Sequence, residues 1–265
     1  MSESLEGIKR AIDECSEEDR KALRLYLCKL SPHPLEKEWG IDADTILSAI
    51  NRSSDLTKRG VRGIIAEAVF VKEVAPTASG AGWQPIDVEG DHPYDAVLKK
   101  GSREARIQVK LQRLEKGKPK LYYPNYYQQG SLYVAEVQKT RTGEKTSRGT
   151  ATEDREPDIT AEVTKVETRP YNFGDFDILA VSMHPSSGSW RDFRYTLGSW
   201  LLARSSNSKL IEVLQPVAAA SNNNWTDDLA TCLRWLEEGK EGRVLLERLH
   251  PNRPRRTKEG EKRRK

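Results

Sequence analysis

Asp91–Gln112, DHPYDAVLKKGSREARIQVKLQ, decides the fold of this 265-residue chain. It reads as two strands joined by a turn. Asp95 opens the first run, Ala96-Val97-Leu98, and Lys100-Gly101-Ser102 supplies the glycine and small polar residue expected where a hairpin reverses. In the second run Ala105, Ile107, Val109 and Leu111 fall on one face of a pleated strand, with Arg106, Gln108, Lys110 and Gln112 on the other. A period of two therefore sets Gln108 and Lys110 side by side, and the normal twist of a hairpin brings Asp95 toward them.

An aspartate, a short interval, then an acid or amide two residues before a lysine suits phosphodiester cleavage. Mg²⁺ takes oxygen ligands, usually one or two carboxylates plus phosphate and water. Bound metal lowers the pKa of a water and offsets charge growing on the phosphate, and a lysine beside it orients that water or stabilises the same charge. These residues resemble the PD-(D/E)xK nuclease superfamily, which includes most type II restriction endonucleases. Here the pattern reads Tyr94-Asp95, twelve intervening residues, then Gln108-Val109-Lys110. Tyr94 stands in the place of the nominal proline, with Pro93 one position earlier, and Gln108 replaces the acid. In Gln-x-Lys members of the family an upstream helical glutamate often joins the site.

Glu67 is such a glutamate. Leu56–Val74 reads as a helix entered through Ser54-Asp55, both good N-cap types, and Glu67 sits in its apolar centre. A carboxylate buried without a partner is expensive, so a charge at such a position calls for a partner or a metal. The other reading of Glu67 puts it on a narrow solvent stripe with Arg59, Arg62 or Lys72. The run from Ala75 to Pro93, rich in Gly, Pro and Ser, reads as a loop. Asp87, Glu89 and Asp91 in and beside it are alternatives to Glu67 as second ligand, and His92 is a candidate phosphate contact.

Upstream, Ser4–Leu30 carries apolar residues at helical intervals, with a second helix starting at Ser16-Glu17-Glu18-Asp19 and ending at Ser31-Pro32-His33-Pro34. Ala43–Ile50 reads as another short helix. Residues 1–53 thus form a helical subdomain, for which structural cover, dimerisation and DNA contact are the available roles. Downstream, Leu132–Gln138 reads as a strand and Asp177–Ser182, DILAVS, as a buried central one. Asp175 and Asp177 read as turn residues at its start. Trp225-Thr226-Asp227-Asp228 caps a last helix through Glu238. A literal Pro157-Asp158 followed by Glu162-Val163-Thr164-Lys165 is a decoy, because its acid and lysine are three apart and the interval is too short for a hairpin.

Charge is distributed unevenly. Lys99–Arg148 holds thirteen Lys and Arg against four Asp and Glu, and the last sixteen residues hold eight against two, so the rest of a chain of net charge +4 is acidic. That is the footprint of a polyanion binder. Lys118, Tyr126, Lys139 and Arg141 are the candidate DNA contacts, tyrosine rings stacking while cations meet phosphate or guanine, and a core strand or packed loop is the other reading of the tyrosine-rich Leu121–Gln129. Cys15, Cys28 and Cys232 form no metal-spaced pair and read as reduced thiols. No segment reaches transmembrane length, and the polar N-terminus carries no signal-peptide pattern.

The expected class is α/β, a restriction-endonuclease-like mixed central sheet flanked by helices with the N-terminal helical subdomain. The core would span residues 54–249, with a DNA-contacting insertion around 113–170, and residues 250–265 would form a disordered basic tail. The resemblance implies a Mg²⁺-dependent, sequence-specific endonuclease acting on double-stranded DNA as a homodimer in a bacterial or archaeal cytoplasm. It also implies Asp95, Glu67 and the Val109 carbonyl as metal ligands, Lys110 to position the attacking water, and Gln108 to orient metal-bound water or phosphate. A repair or recombination nuclease on the same core, or a DNA-binding module that has lost catalysis, would share these residues.

Overall fold

Alternation and a glycine turn are enough to form the hairpin, and a computed structural model, which describes residues 3–90, 92–122, 132–138 and 170–242, contains it. The chain divides into two compact units, Met1–Val61 and Arg62–Lys265. The first is helical: α1 (Glu3–Glu14), α2 (Glu17–Leu30), α3 (Pro34–Trp39), α4 (Ala43–Arg52) and the start of α5 (Asp55–Val69). Ser16 caps α2 by accepting from the Asp19 N–H, and Asp42 caps α4 through Thr45. The prolines end α2, but they also begin α3. His33 and Glu36 form a reciprocal capping box, and Pro34 occupies the first turn, where its missing N–H costs nothing.

The second unit is built on five strands in the order β1 (Gln84–Ile86), β2 (Ala96–Lys100), β3 (Arg103–Leu111), then β7 and β8. Two short strands, β4 (Leu114–Glu115) and β5 (Lys118–Pro119), make a separate hairpin, and β6 (Leu132–Glu136) lies in another two-stranded sheet. In the main sheet β7 (Ile178–Ser182) runs parallel to β3. A four-residue α6 (His184–Ser187) then leads to β8 (Phe193–Leu197), antiparallel to β7. Strands β9 (Ala203–Arg204) and β10 (Asn207–Ile211) pair with each other, β11 (Leu214–Ala218) pairs with β6, and α7 (Leu229–Glu237) closes the described chain on an Asp228 cap. This is a mixed α/β architecture with helices flanking the sheet. Every residue of β7 is buried, which is why its sequence is an almost unbroken apolar run.

Three local departures from the sequence expectation have simple causes. Helix α5 stops at Val69 and continues as a wider π turn, Phe70–Val74, before a 3-10 segment, Ala75–Ala81, takes the place of the expected loop. Pro76 cannot donate to Lys72, so an α-helix cannot pass it. The β4–β5 turn, Lys116-Gly117, has positive φ at both residues, the geometry that matches hairpin twist. Among the described residues no helix is long and apolar enough to cross a membrane.

Phe70 fixes the π turn that follows α5 to the sheet. It is fully buried and packs edge-on against Phe193 at 5.5 Å and beside Tyr195 at 6.4 Å, both on β8. Burying such a ring is worth about 1.5–3 kcal/mol, and it holds Glu67, one turn earlier on the same helix face.

Candidate active site

The site arises where β3 changes partners. Ala96 faces Ile107 across the hairpin, and the Asp95 N–H donates to the Ile107 carbonyl at 2.9 Å, the last rung between β2 and β3. From Gln112 on, β3 meets β6 instead: Gln112 bridges to Ala135, and the Arg113 N–H donates to Val134 at 2.7 Å. Between those rungs lies Val109, whose backbone groups point to the side that β2 has left, because alternate residues of a strand address alternate neighbours. The Asp95 carboxylate takes its N–H at 2.7 Å through Oδ2, and the Val109 carbonyl accepts from the Gln108 side-chain amide at 3.2 Å.

Gln108 is 1% exposed, and its side chain is fully engaged. Besides the Val109 carbonyl, Nε2 donates to Asp95 Oδ2, and Oε1 accepts from the Tyr171 hydroxyl at 3.1 Å. Because a carboxylate and a carbonyl can only accept, they decide which end of the amide carries hydrogen. Sequence reading assigned Gln108 to metal-bound water or phosphate. Here both of its hydrogens are committed to the two oxygens expected to hold the metal.

Lys110 extends from the same strand face, its Nζ 5.6 Å from the centre of the Tyr171 ring. Among the described residues no carboxylate comes within ion-pair distance of it. Burial pushes its pKa down, opposed by the charges of Asp95, Glu67 and Glu136. Burial pushes the Asp95 carboxyl up, opposed by Lys110 and by the hydrogen bonds from Val109 and Gln108. Glu67, half-buried, is also pushed up, by burial first and by the Asp95 charge second, with Lys110 acting the other way. Glu67 therefore shares an electrostatic environment with Asp95 and Lys110. Among the described residues it forms no ion pair with Arg59, Arg62 or Lys72, the residues that share the solvent stripe in its other reading.

Among the described residues no three His, Cys, Asp or Glu side chains gather as a ready-made metal cage. A hard divalent cation does not need one, since Mg²⁺ usually keeps several waters and takes one or two carboxylates. Asp95, Glu67 and the Val109 carbonyl fit that donor set: all oxygen, with two carboxyls that burial disfavours as anions.

No family model matches the chain, and no curated protein does. Among solved structures, the bacterial homing endonuclease I-Ssp6803I matches at 16% identity over 68% of this chain and 94% of that one, with a TM-score of 0.33. At that score the superposition decides neither fold nor function, which rest on the geometry above.

The remaining candidates scatter. Asp87 and Glu89 are exposed, and His92 stacks on Tyr94 while its Nε2 meets the Glu89 carbonyl. Asp177 is more than a turn residue, for it grips the Arg106 guanidinium at 2.8 and 2.9 Å and the Arg106 N–H at 2.8 Å. Asp175 accepts from the Asn172 N–H. Lys118 is exposed on β5, whereas nearby Lys120 and Arg113 are paired with Glu115 and Glu136. Asp91, Tyr126, Lys139, Arg141, the decoy near Pro157 and the basic tail lie outside the described residues. Sequence reasoning missed Tyr171 and Glu136. Both reach the site only through tertiary closure, and no local spacing marks either.

Proposed function

We propose that the chain is a metal-dependent endonuclease acting on double-stranded DNA. The observation that carries this reading is the Lys110 ammonium, half-buried and without an ion-pair partner among the described residues, on the strand face where Asp95 is held by Gln108 and the Val109 N–H and in the field of the Asp95 and Glu67 carboxyls. A cation so placed is suited to an anion brought in from outside, and a phosphate supplies one. Asp95, Glu67 and the Val109 carbonyl would hold Mg²⁺. When bound, the metal supplies charge neutralisation and a water of lowered pKa. Lys110 would meet the phosphate or orient the attacking water, and Gln108 keeps Asp95 and the carbonyl in fixed relation. Exposed Lys116 and Lys118, one hairpin beyond β3, support a polyanionic substrate.

The finer reading is a type II restriction enzyme, a homodimer on a palindromic site, since a two-fold protein matches a two-fold sequence. Plasmid cleavage with Mg²⁺ or EDTA, by wild type, Asp95→Ala and Lys110→Ala, tests both levels. Discrete fragments that vanish with EDTA and fall at least about 100-fold in either variant are expected. Cleavage that survives EDTA and Asp95→Ala overturns the site. Cutting governed by DNA structure overturns only the restriction reading, and metal-independent binding without cutting favours an inert module.

A further inference from the structure

We propose that Tyr171 is a positioning residue of this site, holding the Gln108 amide so that it clamps Asp95 to the Val109 carbonyl; the inference rests on the nuclease reading. Three observations converge. The Tyr171 hydroxyl donates to Gln108 Oε1 at 3.1 Å, the amide atom that faces away from the proposed metal ligands. The face of the same ring lies 5.6 Å from Lys110 Nζ, inside the range in which an aromatic face attracts an ammonium. The ring itself is fixed, being 4% exposed and packed edge-on against Phe176 at 5.4 Å, while its backbone carbonyl accepts from the Ile211 N–H at 2.9 Å. One side chain thus braces both polar residues of the Gln108-Val109-Lys110 motif from outside it.

The hydroxyl has a specific task. Gln108 Nε2 has two hydrogens and two acceptors, Asp95 Oδ2 and the Val109 carbonyl. A buried amide whose oxygen lacked a donor could turn or lean to find one, and either movement would loosen the clamp. Tyr171 removes that incentive. It touches no reacting atom in this scheme and acts through Gln108.

Tyr171→Phe keeps the ring and its packing and removes only the hydroxyl. Steady-state cleavage should show kcat lowered about 10-fold with KM for DNA within twofold of wild type, the size expected for one hydrogen bond that orders a catalytic group. In a Gln108→Leu background the same change should do nothing further, because the group it positions is gone. A second readout does not depend on cleavage: the Gln108 side-chain NH₂ resonances, with hydrogens held by two acceptors, should exchange with solvent at least about 10-fold faster in Tyr171→Phe. Equal loss of kcat in both backgrounds, or unchanged kcat with unchanged amide exchange, overturns the proposal. If the wild type cuts no DNA, the nuclease reading fails, and amide exchange alone still decides whether Tyr171 holds Gln108.

Discussion

Gln108→Glu restores the acid that the PD-(D/E)xK pattern nominally carries, and the geometry says that it is costly. The side chain is 1% exposed, and both amide hydrogens go to oxygens, Asp95 Oδ2 and the Val109 carbonyl. A carboxylate in their place has no hydrogen to offer and faces acceptors. Two unit charges about 4 Å apart repel by about 4 kcal/mol at an effective dielectric constant near 20, and each lost hydrogen bond adds about 1 kcal/mol. Protonation caps the charge penalty. Neutralising a glutamate of ordinary pKa near 4.3 at pH 7 costs about 3.7 kcal/mol, at 1.36 kcal/mol per pKa unit, and the neutral acid regains one donor. The expected destabilisation is therefore about 4–5 kcal/mol at pH 7.

The sign of the pH dependence follows from the same picture. Folding raises the pKa of the introduced carboxyl, so the folded protein keeps a proton that the unfolded chain releases. The charge penalty is absent below about pH 4 and grows as pH rises through the unfolded value. Urea unfolding of variant and wild type, followed by tryptophan fluorescence, should give a difference of about 4–5 kcal/mol at pH 7 that shrinks to about 1–2 kcal/mol near pH 4.5. Millimolar Mg²⁺ at pH 7 should recover part of it, since an ion that binds only the folded state stabilises that state. A loss under about 1 kcal/mol at pH 7, or one that does not change with pH, refutes the placement of the amide hydrogens.

Two further outcomes test the core that carries the site. A Cβ at Gly198 would lie 2.6 Å from the Phe176 carbonyl and 3.2 Å from its ring, so Gly198→Ala should lower the stability measured in urea by about 1–3 kcal/mol, and an unchanged midpoint would contradict this packing. Burial pushes the Tyr195 phenol and the Cys232 thiol above their ordinary ranges, so each contributes stability that is complete below its unfolded pKa, about 9 for the thiol and 10 for the phenol, and is lost as pH rises beyond it. Cys232→Ala should therefore flatten the fall in stability between about pH 9 and 11, and an unaltered slope would mean that the thiol is not buried as described.

Much of the fold can be read from local pattern because local physics determines it. The β2–β3 hairpin announces itself by alternation and by Gly101, which takes φ +60 at the first position of a two-residue turn. Strand β7 is legible because a strand covered on both faces must be apolar throughout. Helix α3 is hidden because His33-Pro34 looks like a stop, and the start becomes visible only when Glu36 is seen to complete the capping box. Within the site, Asp95, Gln108 and Lys110 are legible because strand register alone places them. The covering of their face is not. It depends on Tyr171, which arrives from a distant part of the sequence.

The polar face of β3 is satisfied unevenly. Along it, Arg106 is fully answered by Asp177, and Gln108 by Asp95, Val109 and Tyr171. Among the described residues Lys110 has no carboxylate in contact, its ammonium lying 5.6 Å from the centre of the Tyr171 ring, and Gln112, 1% exposed, makes no side-chain hydrogen bond. Satisfaction thus falls stepwise from the hairpin turn toward the place where β3 exchanges β2 for β6. A buried polar group left unanswered costs about 1–3 kcal/mol, and native folds keep few of them. Gln112 is such a group, both of its side-chain polar atoms being unpaired among the described residues, whereas Lys110 is half-buried with its ammonium over the Tyr171 ring. Gln112 lies one strand step beyond Lys110 on that face, where the chain leaving β3 bridges to Ala135 of β6.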